Sequence, residues 1–446
     1  MNIVIVGAGE VGTHLAKMLS LEKHNIYLID EDGDKLKNIS NSYDLFTLKG
    51  SPTSFESFKE AGIEKADLFI AVTPHKSQNI NACMIAKALG AKKTVARIDN
   101  YEYLQPKNKA IFEKMGVNAL IYPEYLAAKE IVDMIGINWV RKYYEFSGGD
   151  LVMLGVKLRN DASIINRKMI ELFSNEDRLY AVAIKRDQEM IIPRGDDEFR
   201  AGDIVFFITT KENIPYVKQF TGKENYDIKS LLIIGGSRIS VKAVQFFPSS
   251  ISVKIIESDI AKGEKLAEEV LDKAVIIHGN GTDFDFLTEE GISNVDAVAA
   301  LTQNTETNIL TCVAAKKFGV KKTIAEVENI DYIDLAENMD IGTVINKKLI
   351  AANYIYQMTL DADEESVKCL ALFDAEVFEF EVKEDSKITR DIIRNVSLPK
   401  NVNIGGYVRA NKGYLVNGNT QIEAGDRVVV FCHNMQDYKK VEKLFR

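Results

Sequence analysis

Residues 2–12 read NIVIVGAGEVG. The run Asn2–Val6 is short, apolar and rich in β-branched side chains, the pattern of a strand buried on both faces of a parallel sheet. GAGEVG at 7–12 opens a helical pattern through Leu15, Ala16 and Leu19, and a second apolar run from Ile26 to Ile29 ends in Asp30. Strand, glycine turn, helix, strand, acidic residue is the context that makes G-x-G-x-x-G specific. Gly7 allows a tight turn, Gly9 lets backbone approach a pyrophosphate, and Gly12 lets the helix lie close to the sheet. The helix N-terminus offers unpaired N–H groups and a partial positive charge to phosphates. Asp30, 23 residues after Gly7, stands where a carboxylate accepts hydrogen bonds from an adenosine ribose and repels a 2′-phosphate, which favours NAD(H) over NADP(H). The competing reading is a glycine turn that only packs a helix. The motif specifies a dinucleotide or an adenine nucleotide; it does not specify a reaction.

Working outward, the chain repeats itself. Residues 48–100 align without gaps on 277–329 at an offset of 229, with Gly50 on Gly279, Gly62 on Gly291, Asp67 on Asp296, Thr73 on Thr302 and Asn79 on Asn308. The apolar run 231–234 and Gly235-Gly236 match the first strand and glycine turn, and Glu257 ends the counterpart of the Asp30 strand. FRAGDIVFFI at 199–208 matches IEAGDRVVVF at 422–431. A repeat of this length signals duplicated structural units. The expected fold is α/β: two Rossmann-like parallel-sheet domains alternating in tandem with two small α+β domains. The boundaries read as 1–120 (first Rossmann-like domain), 121–140 (crossover helix), 141–225 (small module), 228–346 (second Rossmann-like domain), 347–363 (crossover helix) and 364–446 (small module). The crossover helices either pack locally or cross to a partner domain. Their apolar residues Ile131, Met134, Ile135, Ile350 and Ile355 are equally a dimer surface or core.

Composition narrows the function classes. The chain has 446 residues, 46% hydrophobic and 27% charged, enough to bury several cores. Its net charge of −9, with no basic stripe or helix-turn-helix segment, argues against nucleic acid as a partner. Cys83, Cys312, Cys369 and Cys432 lie far apart without a CxxC pair, which fits reduced thiols better than a disulfide frame or a metal site. No export signal and no apolar run of membrane-spanning length is present, so no direct membrane insertion is expected.

Four features occur in order: GAGEVG, the G-x-x-T segment ending in A/G-G-I, AVT with N-x-N downstream, and the A-G-D module. Together they resemble the regulator-of-K⁺-conductance (RCK, or KTN) domains, and the doubled arrangement is similar to the regulatory subunits of bacterial Trk potassium-uptake systems. The resemblance implies RCK-N and RCK-C domains and a homo-oligomer, dimer or tetramer. It implies a cytoplasmic location, peripheral on the inner membrane, where a gating ring acts on a potassium channel subunit of the TrkH type. The implied ligand is NAD(H), with ATP/ADP as the alternative, and no catalytic or metal-binding residue is expected. The first pocket would use Gly7, Ala8, Gly9, Glu10 and Val11 as phosphate loop and Asp30 on the ribose. Ser51 and Pro52 would lie near the adenine, Thr73 and Pro74 would line the cleft, and Arg97 would reach phosphates through its bidentate fork. The bland reading of Arg97 is a solvated strand-end charge. Where family members often carry a second arginine, this chain has Asp99, which favours NAD(H) over a triphosphate.

The second pocket is weaker. In Gly235, Gly236, Ser237, Arg238 and Ile239, serine replaces the second glycine; Ser240 replaces the third, and Glu326 stands in place of Arg97. Arg238 offsets this in part, and Glu257 would face the ribose. One competent site per chain is therefore expected. The rival class is an NAD-dependent oxidoreductase, for which His75 is the tempting general acid or base. Its repeat counterpart is Asn304, and no partnering acid is evident. The charge cluster Arg194, Asp196 and Asp197 is read either as a ligand contact of the small module or as a polar hairpin loop.

Overall fold

The computed structural model describes every residue except 21–23, 175, 188, 225, 361–366, 373–374, 434 and 446. Two compact units emerge. The first joins Met1–Ala128 to the helix Lys347–Leu360. Its sheet has six parallel strands: Asn2–Val6, Asn25–Asp30, Phe46–Lys49, Leu68–Ala71, Lys93–Arg97 and Ala119–Ile121. They lie in the order third, second, first, fourth, fifth, sixth. That order reverses direction between the first and fourth strands, where open α/β sheets present a ligand crevice at their carboxyl ends. The core on one face is built from Val4, Val6, Phe69 and Ala71 with Ala82, Cys83 and Ala86 of the helix Lys76–Ala88. Phe58 meets Phe69 edge-on at 5.1 Å.

The helix Lys347–Leu360 follows the second half in sequence, yet it packs along Glu10–Ser20 in the first unit and buries Ala351, Ala352, Ile355 and Tyr356. The earlier crossover helix, Pro123–Gly136, buries Ile131, Met134 and Ile135. All of these are intramolecular core, which removes the dimer-surface reading for every named position except the half-buried Ile350.

The second unit joins Lys129–Ile345 to the second small module. Its six-stranded parallel sheet, from Ser230–Ile234 to Thr343–Ile345, has the same strand order as the first. Each small module is a five-stranded sheet; counted within its own module, each follows the order 4-3-5-2-1. The two modules share one core, in which Leu151, Val182 and Ile208 of the first meet Val377, Val408 and Phe431 of the second. Gly405 makes that approach possible, since a Cβ there would lie 2.9 Å from Val182. Arg194 belongs to this contact as well. Its guanidinium donates to the carbonyls of Pro399 (3.2 Å) and Lys400, and Asp197 accepts from the Arg194 N–H at 2.6 Å. Arg194 thus joins the modules, while Asp197 and Asp196 stay within the first, Asp196 facing Lys168 at 3.4 Å.

The first small module is also tied to the second parallel sheet. Asp340 accepts from Arg141, from Lys157 (3.0 Å) and from Lys316 (3.2 Å). Burial raises the Asp340 carboxyl, but Arg141 and the two lysines outweigh it and bring it down to about 2. Lys185 reaches Glu337 at 2.7 Å and Asp334 at 3.3 Å.

The repeated A-G-D motif is structural. The buried Asp203 takes two hydrogen bonds from Arg186 (2.9 and 2.8 Å) and one from the Arg200 N–H (2.8 Å). The equally buried Asp426 takes two from Arg409 (2.7 Å each) and one from the Glu423 N–H (2.8 Å). Removing one partner leaves the other desolvated and unpaired. Asp203→Ala and Asp426→Ala should each cost about 2–3 kcal/mol, read in denaturant as a lower unfolding midpoint, while Asp196→Ala at an exposed position should cost under about 0.5 kcal/mol.

Candidate functional site

The first parallel sheet gathers the sequence-predicted residues along its carboxyl edge. Gly7 takes φ +104°, and its N–H donates to the Ile29 carbonyl at 2.9 Å. A Cβ at Gly7 would come 3.0 Å from the Thr73 nitrogen, so the glycine turn lies directly against the end of the fourth strand. At Gly12 a Cβ would fall 1.9 Å from the Gly7 carbonyl oxygen. Only glycine lets the helix Glu10–Ser20 start so close to the turn. Gly9 differs: a Cβ there would meet nothing within 4 Å. Thr13 N–H donates to the Gly9 carbonyl at 2.8 Å, which makes Gly9 the residue before the first helical turn. With no side chain, it leaves the first helical N–H groups without a side-chain cap.

Asp30 has a role the sequence reading did not anticipate. Its carboxylate accepts from the Ala8 N–H at 2.6 Å and from the Asp32 N–H at 2.8 Å. It therefore fixes the glycine turn to the second strand. Gly50 N–H donates to the Asp30 carbonyl at 3.0 Å, which brings the following Ser51 and the buried Pro52 to the same edge.

Thr73 and Arg97 are joined by Asn79. The fully buried Asn79 amide accepts from the Thr73 N–H (3.0 Å) and hydroxyl (2.7 Å), and donates to the carbonyls of Thr73 and Arg97 (2.9 Å each). The repeat reproduces this staple with Thr302, Asn308 and the Glu326 carbonyl. The N-x-N signal is thus explained by strand-end geometry. Pro74 and His75 are exposed, and His75 occupies the position before the helix Lys76–Ala88.

Arg97 is not a solvated strand-end charge. Its side chain is 27% exposed, and Nη2 lies 3.9 Å from Oε1 of Glu124, the second residue of the helix Pro123–Gly136. Glu124 is buried, and its Oε2 has no hydrogen-bond partner. Asp99 pairs with Lys76 at 2.8 Å. A further cation reaches the glycine turn: Lys348, near the start of the other crossover helix, pairs with Glu10. Glu124 and Lys348 were legible only by extending the repeat past the second sheet, where Ile121, Ala127 and Ala128 align with Ile345, Ala351 and Ala352 and Glu124 falls on Lys348.

The second parallel sheet keeps the frame and caps the helix start with a side chain. Glu257 accepts from the Gly236 N–H (2.9 Å) and the Asp259 N–H (3.1 Å), as Asp30 does from Ala8 and Asp32. It also takes Lys262 at 2.6 Å. Burial pushes the Glu257 carboxyl up, but Lys262 and those N–H groups hold it below the ordinary value. Ser237 caps its own helix by accepting from the Ser240 N–H at 3.3 Å, and the Ser240 hydroxyl donates to the Gly235 carbonyl at 2.6 Å. The protein's own hydroxyl thus occupies a helix-start donor that is uncapped by any side chain in the first sheet. Arg238 is exposed, Ile239 is core, and Glu326 is buried.

Among the described residues no helix is long and apolar enough to cross a membrane. Cys83, Cys312 and Cys432 are buried; the Cys369 side chain lies outside the described residues.

Two domain models match the chain: the TrkA-N domain at residues 3–123 and 231–347, and the TrkA-C domain at 153–222 and 377–446. A Trk system potassium uptake protein TrkA from Halomonas elongata is 30% identical over 452 residues, covering 100% of this chain and 99% of its own. Among solved structures, the GsuK RCK domain is similar at TM-score 0.62 and 15% identity, over 99% of this chain and 94% of its own. The GsuK channel bound to NAD is similar at TM-score 0.62 and 15% identity, over 100% of this chain and 78% of its own. At that identity the likeness concerns the fold, which is the expected alternation of Rossmann-like and small RCK domains.

The two glycines differ in what a side chain would meet. Gly12→Ala should destabilise the first unit by about 1–3 kcal/mol through the clash with Gly7. Gly9→Asp should leave stability unchanged or raise it by up to about 1 kcal/mol, because aspartate is a favoured cap for the N–H groups that Gly9 leaves open. Thermal unfolding of the two variants checks the opposite signs.

Proposed function

Because the chain belongs to the TrkA-N/TrkA-C family of Trk-system potassium uptake proteins, we propose that it is a cytoplasmic nucleotide-sensing subunit that gates a membrane potassium transporter of the TrkH type. The role in potassium transport is regulatory. The ligand of the first cleft is NAD(H), with ATP/ADP as the competing occupant. It is held by Gly7, Ala8, Gly9, Glu10 and Val11 at the phosphates, Asp30 at the ribose, Ser51 and Pro52 near the adenine, and Thr73, Pro74 and Arg97 across the cleft. The protein performs no chemical step. The second cleft (Gly235, Gly236, Ser237, Arg238, Ile239 and Glu257) serves structure. Copies of the chain assemble as a dimer or tetramer at the cytoplasmic face of the membrane.

One observation carries this reading: the first glycine turn leaves its helix start without a side-chain cap, whereas Ser237 caps the second one. The oxidoreductase alternative asks for a general acid or base beside the nicotinamide. His75, its best candidate, is exposed in a loop before a helix. Support for a gating role also comes from the crossover helix of the second half, which packs on the helix that begins at the first phosphate position. Ligand occupancy there biases a shape equilibrium only through unequal affinity for two shapes, on a scale of about 1–3 kcal/mol.

NADH fluorescence titration of the full chain tests the site. Gly9→Asp should weaken binding by more than about a hundredfold, since its carboxylate takes the phosphate donors and repels the diphosphate. Ser237→Asp should change affinity by less than about twofold. Equal loss in both variants would reject the assignment to the first cleft. Potassium flux through a Trk-type pore reconstituted with this subunit should respond to NADH in the wild type and not in Gly9→Asp.

A further inference from the structure

The first cleft carries a charge pair that joins the two halves of the repeat. Glu10 is the first residue of the helix that leaves the glycine turn, and its side chain is 64% exposed. Its partner, Lys348, is only 15% exposed and pairs with it through Nζ. Lys348 belongs to the helix Lys347–Leu360, which continues directly from the last strand of the second parallel sheet, Thr343–Ile345. The start of this helix is held firmly: Asn346 Oδ1 accepts from the Lys348 N–H (3.0 Å) and the Leu349 N–H (2.9 Å). One turn on, Ala351, Ala352 and Ile355 are buried. A rigid, capped helix start thus delivers one ammonium group to the glycine turn.

The repeat makes this position informative. Lys348 is the counterpart of Glu124, which lies 3.9 Å from Arg97 in the same unit. Both crossover helices therefore put their second residue beside the first cleft, one an acid and one a base. Glu10 stands where an incoming diphosphate would meet a like charge, and a carboxylate on a glycine turn opposes phosphate binding unless it is neutralised. Lys348 supplies that neutralisation, and its flexible four-carbon stem lets the ammonium leave Glu10 for a nearby phosphate oxygen. Burial holds the Lys348 ammonium below its ordinary value, which raises the gain from acquiring a second anion.

Building on the nucleotide reading of the first cleft, we propose that Lys348 is a phosphate ligand contributed by the second half of the chain, with Glu10 as the carboxylate that competes with the nucleotide phosphates for it. Occupancy of the cleft is then sensed directly by the helix Lys347–Leu360. The ligand class is any adenine nucleotide with a diphosphate, NAD(H) and ADP alike.

The test is calorimetric titration of the full chain with NADH, ADP and adenosine. Lys348→Met keeps the apolar stem and removes the charge; Lys348→Arg keeps the charge. Lys348→Met should weaken NADH and ADP by about tenfold or more and leave adenosine within about twofold, and Lys348→Arg should restore most of the loss. Glu10→Gln should tighten NADH and ADP severalfold, and this gain should vanish when Lys348→Met is also present. NADH and ADP affinities unchanged in Lys348→Met overturn the proposal. A loss shared equally by adenosine also overturns it, because Lys348 is then a packing residue. A wild-type chain that binds none of the three overturns the nucleotide reading itself, and this proposal with it.

Discussion

The molecule turns on one close approach. The helix starting at Glu10 comes so near the preceding turn that a single carbon at Gly12 would sit 1.9 Å from the Gly7 carbonyl. That approach aims a set of backbone N–H groups, uncapped by any side chain, across the carboxyl edge of the sheet, and the surrounding residues hold it in place. Asp30 clamps the turn from the second strand, and Asn79 staples the fourth strand to the fifth. The buried Asn79 amide is satisfied within the protein and so fixes geometry, and the half-buried Asp30 carboxylate holds the turn beside it. Along this edge lie the helix start, without a side-chain cap among the described residues, and the Arg97 side chain, 3.9 Å from Glu124.

Duplication followed by divergence explains the asymmetry of the two halves. The second sheet keeps strand order, staple and carboxylate clamp. It loses the close approach: Ser240 donates to Gly235 where Gly12 had to be bare, and Ser237 caps the helix. Its neighbourhood has become a structural hub instead, with Asp340 gathering Arg141, Lys157 and Lys316. A pair of small modules sharing one core is locked together within a single chain by contacts that include the close approach at Gly405, the Arg194 guanidinium and the Ser147–Glu379 hydrogen bond.

Much of this was legible in the sequence because glycine and aspartate spacing report backbone requirements directly. The strand at 2–6, the turn at 7–12, the repeat offset and the serines that replace glycines in the second turn all follow from residue types whose physics is local. The missed features are those in which a side chain has two possible partners. Asp30 suits a ribose, and it also serves the Ala8 N–H; a motif cannot rank the two. Arg194 looked like part of a polar hairpin or a ligand site because its partners, the carbonyls of Pro399 and Lys400, are backbone groups with no sequence signature. Ile355 lies on an apolar helix whose packing partner, the helix Glu10–Ser20, lies far off in the chain. Lys348 and Glu124 became visible only when the two crossover helices were aligned on each other.

The central claim, that one half of the repeat senses a nucleotide and the other carries structure, is tested most directly by the stoichiometry of NADH at saturation. Equilibrium dialysis against a full-length chain of known concentration should give one NADH bound per polypeptide. Two per polypeptide would contradict the account, because the Ser237-capped cleft would then be as receptive as the bare one, and none would contradict it outright.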